Sequence, residues 1–406
     1  MDTATAPERA AATPQTQALR IGVFGGFGIG NFGNDASLEA ALDFLRAERP
    51  EAEVSVICTK PDVVEATYGV AAIPTTVRPE GLARKLDTLL LRQPSAWSNW
   101  VRCLAALKRY DVMLVAGTGV FDDFRDTPWG WPSRLLRWCL AARMRGVRIA
   151  YLSVGGGPIL NPVSRFLMKR AAQLAQHRSY RDENSRQYML GIGVDDAESV
   201  VLPDLAFLLP KPPAPPRAPD GALTIGVGTM TYRGWRDNDT VYESYLAAQQ
   251  RFIEWAEAQG HKVRILIGQT PADLRAVDDL EARMGRALVS AEDRAMNSIH
   301  DVMRAVAETD VVIASRYHVQ VAALKQGKPV MSLSYAPKND ALLEQAGLGA
   351  FVHDIHAIDF DKLVGQFSEL IEGRETYAEI VRGRVGEMEA RLRRSIRDLN
   401  VLGDAV

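Results

Sequence analysis

An arginine and a histidine one residue apart close a short apolar run, Val311–Val312–Ile313–Ala314–Ser315–Arg316–Tyr317–His318. Arginine carries a rigid fork of donors that fits a carboxylate or a phosphate. Histidine donates to an anion or moves protons near neutral pH. With the run as a strand and a helix starting near Val319, both side chains leave a C-terminal strand edge beside a helix N-terminus, which favours negative charge. Arg181 in Tyr180–Arg181–Asp182–Glu183–Asn184–Ser185 and Lys338 in Ser334–Tyr335–Ala336–Pro337–Lys338 sit at comparable positions. Arg181, Arg316, His318 and Lys338 thus outline a pocket for a small dianion or trianion. Ser334 and Tyr335 extend the same wall, and Tyr335 has the shape to pack on a sugar ring.

Glycine loops face these cations. Gly28, Gly30 and Gly33 form a GxGxxG match after an apolar strand. A dinucleotide site also needs an acid at the end of the second strand. That strand ends Ile57–Cys58–Thr59–Lys60, with the nearest acid, Asp62, beyond Pro61, so the dinucleotide reading falls. The physical content remains: small residues let backbone N–H groups converge at a helix N-terminus, where an anion or sugar can approach. Asn31, Asn34 and Asp35 either hydrogen-bond such a ligand or cap the helix. A second loop carries Gly117, Thr118 and Gly119 with Asp122 and Asp123; the acids suit hydroxyl binding, general-base action or plain solvation. Gly156 and Gly157, in Ser153–Pro158, suggest close backbone approach. Asp204, in Pro203–Phe207, reads as structural. No His, Cys, Asp or Glu spacing suggests a metal, and no cofactor is expected.

Alternating apolar strands and amphipathic helices must position these loops. The order β–loop–α–β recurs from Leu19 onward and implies parallel strands with right-handed crossovers. A short strand is expected at Ala287–Ser290, and a charged surface helix near the C-terminus. The expected boundaries are a disordered tail over 1–17, a Rossmann-like domain over 18–209, a proline-rich connector over 210–221, a second Rossmann-like domain over 222–372 and a helical segment over 373–406. The fold class is α/β, two Rossmann-like parallel-sheet domains in a GT-B-like arrangement. Ligands bind such sheets beyond the C-terminal strand ends, where the loops lie.

The chain of 406 residues is 47% hydrophobic and 24% charged, with 48 Lys plus Arg against 50 Asp plus Glu. That balance argues against a nucleic-acid binder. Cys58, Cys103 and Cys139 sit in apolar runs and read as buried free thiols. No apolar run is long enough to span a membrane. A cytoplasmic location is expected, with room for peripheral contact at the inner membrane face through the basic C-terminal helix, and for a homo-oligomer.

Taken together, the segments Gly26–Ala36, Ala116–Asp123, Ser153–Pro158, Tyr180–Ser185, Pro203–Phe207, Ser315–His318 and Ser334–Asp340 resemble the polysaccharide pyruvyl transferase family. The resemblance spans about residues 19 to 350 and departs from the family at Asn34, where many members have an acid, and at Thr118 within the glycine run. It implies an enzyme that moves an enolpyruvyl-derived group from phosphoenolpyruvate to a saccharide or lipid-linked saccharide of the cell surface, closing a pyruvate ketal. By analogy Arg181 and Arg316 hold the donor, His318 protonates its methylene carbon, and Asp35 or Asp122 is the base. The alternatives are a GT-B-like glycosyltransferase using a nucleotide sugar, and a noncatalytic carbohydrate-binding member of the fold.

Overall fold

The computed structural model describes residues 18–90, 93–124, 126–195, 198–213, 222–234 and 238–397. The tail 1–17, most of the proline-rich connector (214–221) and the C-terminal residues 398–406 lie outside the described residues.

The first sheet contains β1 (Arg20–Phe24), β2 (Glu53–Cys58), β3 (Ala72–Pro74), β4 (Val112–Ala116), β5 (Arg148–Val154), β6 (His177–Tyr180) and β7 (Val200–Val201). They run parallel in the order β3-β2-β1-β4-β5-β6-β7. The order reverses between β1 and β4, opening a crevice beyond their carboxyl ends. Its helices are α1 (Phe32–Glu48), α2 (Pro61–Tyr68), α3 (Gly81–Leu89), α4 (Gln93–Ala106), α5 (Trp131–Met144), α6 (Pro162–Gln173) and α7 (Glu183–Gly191). Strand side chains alternate between two layers. Ile21, Val23, Val112 and Leu114 join the core that includes α1. Phe24, Met113, Val115 and Tyr151 join Cys103 of α4, Cys139 of α5 and Met168 of α6.

The second sheet contains β8 (Thr224–Thr229), β9 (Lys262–Ile267), β10 (Val311–Ala314), β11 (Val330–Ser334) and β12 (Val352–Asp354), parallel in the order β12-β11-β10-β8-β9. Around it lie α8 (Asp239–Ala258), α9 (Leu274–Met284), α10 (Ala291–Arg294), α11 (Ile299–Ala307), α12 (Tyr317–Lys325), α13 (Pro337–Gln345), α14 (Phe360–Glu372) and α15 (Arg374–Arg397). The protein is therefore α/β, with two Rossmann-like domains in a GT-B-like arrangement. Cys58, Cys103 and Cys139 are buried and free. Among the described residues, no helix is long and apolar enough to cross a membrane.

Two expectations are corrected here. Ala287–Ser290 forms no strand, because the Glu281 carboxylate accepts the N–H groups of Leu288 and Val289 at 2.8 and 3.1 Å, donors that a ladder would need. The charged C-terminal helix is not simply a solvated surface helix. Val381, Val385, Met388, Leu392 and Ile396 of α15 form a buried stripe, and Arg397 pairs with Glu48 of α1 at 2.8 Å. Its apolar face is thus already covered, tying the C-terminus back to the first domain.

Candidate active site

The β1–α1 loop is shaped by its own polar side chains. Asn31 caps α1, its Oδ1 accepting from the N–H groups of Gly33 and Asn34 at 3.2 and 3.3 Å. The side-chain amide of Asn34 donates to the Gly26 carbonyl at 3.2 Å, and Asp35 accepts the Gly28 N–H at 2.8 Å. Burial raises the Asp35 carboxyl, and that backbone bond opposes the rise. These three polar residues are therefore committed to holding the loop that carries Gly28 and Gly30.

The two adjacent acids after β4 have separate roles. Asp123 is buried and accepts the N–H groups of Leu160 and Asn161 at 2.9 and 2.8 Å, so it clamps the loop after β5. Asp122 accepts the Phe124 N–H at 3.2 Å. Burial pushes its carboxyl up, against the charges of Lys338 and Arg181 and that N–H. Thr118 between the glycines adopts a left-handed backbone, φ 66°, a conformation costly for a β-branched residue and retained at sites the surroundings over-determine. The glycine run Gly155–Gly157 pairs with Phe121 instead of standing open: Phe121 N–H donates to Gly155 O and Gly157 N–H to Phe121 O, both 3.0 Å. At Gly156 an added Cβ would meet Met189 and the Ser185 carbonyl at 3.1 and 3.2 Å, whereas the same position at Gly157 is open.

Arg181 follows β6 and is buried. Its Nη1 lies 3.4 Å from Asp204 and its Nε 3.7 Å from Asp182, while its guanidinium sits 4.4 Å from the Tyr317 ring centroid of the other domain. Burial pulls its pKa down, but Tyr317, Asp204 and Asp182 outweigh that and raise it. Arg316, between β10 and α12, grips the fully buried Asp273 through Nε at 3.0 and 3.2 Å and through Nη2. Asp273 likewise keeps Arg316 charged against burial.

His318, at the start of α12, reaches across to the first domain. Its ring lies against Gly33, where an added Cβ would stand 2.0 Å from ring atoms. Its Nε2 is 3.6 Å from Asp204 Oδ2, an ion-pair distance too long for a hydrogen bond. The following loop places Lys338 Nζ 5.0 Å from the Tyr335 ring centroid. Burial would raise the Tyr335 phenol, yet Lys338, Arg316 and Arg181 together pull it below its ordinary value. Ser334 bonds to Asp340 and Ala336 O, shaping the loop.

Arg181, Arg316, His318, Lys338, Tyr335 and Asp122 thus all follow strand ends of the two sheets, and the charges of Arg181 and Lys338 bear on both Asp122 and Tyr335. Asp35, Asn31, Asn34 and Ser334 support the loops at those ends, as do Gly117, Thr118 and Gly119. Sequence reasoning missed Asp273 and the pairings of Asp204, and it missed an aromatic run. Tyr335 packs on Tyr232 with ring centroids 5.3 Å apart, and the Tyr232 hydroxyl is 3.1 Å from His356 Nε2. His356 Nδ1 in turn lies 2.8 Å from Asp354. The signal available was position alone: Tyr232 follows β8 and Asp354 ends β12, both strand ends facing the cleft.

Two parallel-sheet domains with a charged interdomain cleft define a GT-B-like enzyme. The chain belongs to the polysaccharide pyruvyl transferase family, whose model matches residues 31–337. No curated protein matches it. Among solved structures it is similar to the UDP-GlcNAc 2-epimerase of Neisseria meningitidis bound to UDP-GlcNAc, at 12% identity and TM-score 0.56, covering 93% of this chain and 98% of that one. It is also similar to the S. aureus MnaA–UDP co-structure, at 15% identity, TM-score 0.56 and 92% of each chain. A third is the UDP-forming α,α-trehalose-phosphate synthase of Burkholderia vietnamiensis, at 12% identity, TM-score 0.55, covering 96% and 98%.

The expected phosphoenolpyruvate donor, and with it ketal-forming pyruvyl transfer, is corrected. These three solved structures are named for UDP or UDP-sugar chemistry. The site gives a physical reason: Arg181 is neutralised by Asp204 and Asp182, and Arg316 by Asp273. The two guanidiniums therefore sit in separate ion pairs and do not form a joint clamp for a small trianion.

Proposed function

We propose that the protein transfers a sugar from a nucleotide-activated donor to a saccharide acceptor in this cleft. The observation that carries the reading is the run Tyr335–Tyr232–His356–Asp354, continuous with Lys338 and Arg316. It supplies what the sequence lacked beside Arg316 and His318: aromatic faces for a base and a carboxylate for ribose hydroxyls, next to the Lys338 ammonium for a diphosphate. The UDP-dependent relatives of the fold support the same reading.

In this mechanism an acceptor oxygen attacks the anomeric carbon and the bond from that carbon to the diphosphate oxygen breaks. Asp122 takes the hydroxyl proton, and its raised pKa suits a base working near neutral pH. The nucleoside diphosphate leaves with its negative charge facing Lys338 and the N-termini of α12 and α13. His318 lies between acceptor loop and donor loop and orients the hydroxyl. A nucleotide-sugar donor supports a cytoplasmic location.

The test is calorimetric titration with UDP, UDP-GlcNAc and phosphoenolpyruvate, followed by mass analysis of saccharides incubated with each donor. UDP binding that weakens in Asp354→Asn and Tyr232→Ala, with gain of an N-acetylhexosamine-sized mass from UDP-GlcNAc, is expected. Absence of nucleotide binding, or a gain of pyruvyl mass, overturns the reading.

A further inference from the structure

The outermost helical layer of the first domain is apolar where it should be polar. Leu82, Leu86 and Leu89 lie at i, i+4 and i+7 on α3, one face of the helix, and all are exposed, Leu89 by 76%. Trp97 on α4 is 70% exposed, and Met144 of α5 and Phe166 of α6 are likewise open. Scattered exposed apolar residues are ordinary, but a layer of them marks an interaction surface. α3 packs beside α4, α4 beside α5 and α5 beside α6, so these side chains belong to one face.

The charge on this face is predominantly positive: α3 holds one acid, Asp87, which is buried, with Glu80 exposed at its N-cap. No Asp or Glu occurs between Thr88 and Tyr110, or between Thr127 and Arg181. Over the same helices Arg84, Lys85, Arg102, Arg143, Arg145 and Arg170 are exposed. Since the whole chain has a net charge of −2, the basic character is segregated here and not a property of the protein at large. Leucine and tryptophan ringed by cations suit the interface of an anionic bilayer, where tryptophan sits at headgroup level and cations meet lipid phosphates. A second copy fits worse: a two-fold contact sets the same patch on both sides and would appose two basic surfaces.

We propose that the outer face of α3 to α6 docks on an anionic lipid surface. Trp129, 80% exposed, and Leu160 continue the face into the loops after β4 and β5, the loops that carry Asp122 and Gly156. Docking therefore sets the cleft mouth at the membrane. Resting on the saccharide-acceptor reading above, this makes the acceptor a saccharide on a lipid anchor.

The test floats the full chain with vesicles of phosphatidylcholine alone or mixed with phosphatidylglycerol; it needs no turnover, so it stands whichever donor is used. The protein should float with the anionic vesicles only. Leu89→Ser/Trp97→Ser and Arg84→Glu/Lys85→Glu should each lower binding about tenfold while melting as the parent does. Arg384→Glu, a charge reversal on exposed α15, should leave binding intact. No association with anionic vesicles, or association of both double variants at the parent's level, overturns the proposal. So does a dimer in sedimentation that Leu89→Ser/Trp97→Ser dissociates without any vesicle binding.

Discussion

Asp204 Oδ2 lies 3.6 Å from His318 Nε2, joining the first domain to the start of α12 in the second. The same oxygen is 3.4 Å from Arg181 Nη1, so one buried carboxylate faces a side chain from each domain. Burial alone would raise this carboxyl; His318, Arg181 and the Ala206 N–H outweigh it and hold Asp204 at about 2.

That depressed value predicts an acid limb. A carboxyl lower in the folded than in the unfolded chain stabilises fully above its unfolded pKa, and the gain is lost as pH falls from about 4 toward the folded value. The contribution is on the order of 2 kcal/mol. Asp204→Asn should lower stability at neutral pH by roughly 3 kcal/mol, since it strands buried cations. Denaturant melts at several pH values should then show a flatter acid limb than in the parent. An unchanged limb would remove Asp204 from the interdomain network.

Asp122 moves the other way. Its raised pKa means the folded state pays to ionise it, so stability falls as pH rises through the carboxylate range. Asp122→Asn should therefore melt at or above the parent at neutral pH. If Asp122 is the base, turnover should drop by roughly two to four orders of magnitude with nucleotide affinity retained. A variant with parental turnover would assign the proton transfer elsewhere.

Gly33 tests the His318 placement from the opposite side. An alanine Cβ would sit 2.0 Å from the ring, so either the ring rotates or the domains part. Gly33→Ala should cost about 1–3 kcal/mol and lower kcat/KM more than Gly69→Ala, whose position is open though also strained by its positive φ. Scattering should report an expanded particle. A compact, fully active Gly33→Ala protein would show that the contact is not required.

Much of this was legible in the sequence, and the failures share a cause. Arg181, Arg316, His318 and Lys338 could be placed because each follows an apolar run that ends at a polar loop, so strand ends and cleft residues coincide. Asp273, Asp354 and Tyr232 could not be paired with them, because sheet order β12-β11-β10-β8-β9 makes neighbours of residues far apart in sequence. The charged partners that neutralise Arg181 and Arg316 were hidden for the same reason. The helices α3 and α4 escaped notice because their leucines and tryptophan face outward; periodicity identifies a helix by the face it buries, and these bury little.

His300 on α11 and Glu39 on α1 form a second bridge between the domains, Nε2 to Oε1 at 2.6 Å. The Glu39 bond raises the His300 pKa against the effect of burial. For a histidine raised on folding, the stabilisation is complete below the unfolded pKa of about 6.5 and disappears as pH rises through the folded value. His300→Gln should thus lose stability relative to the parent near pH 5, and the gap should close as pH rises above the folded pKa and the parent imidazole loses its proton. Glu39→Gln should behave alike, and the double variant should be no worse than either single one, since both remove the same pair. Paired melting curves across that range decide it: a gap that stays constant with pH would mean the two side chains pack without exchanging charge.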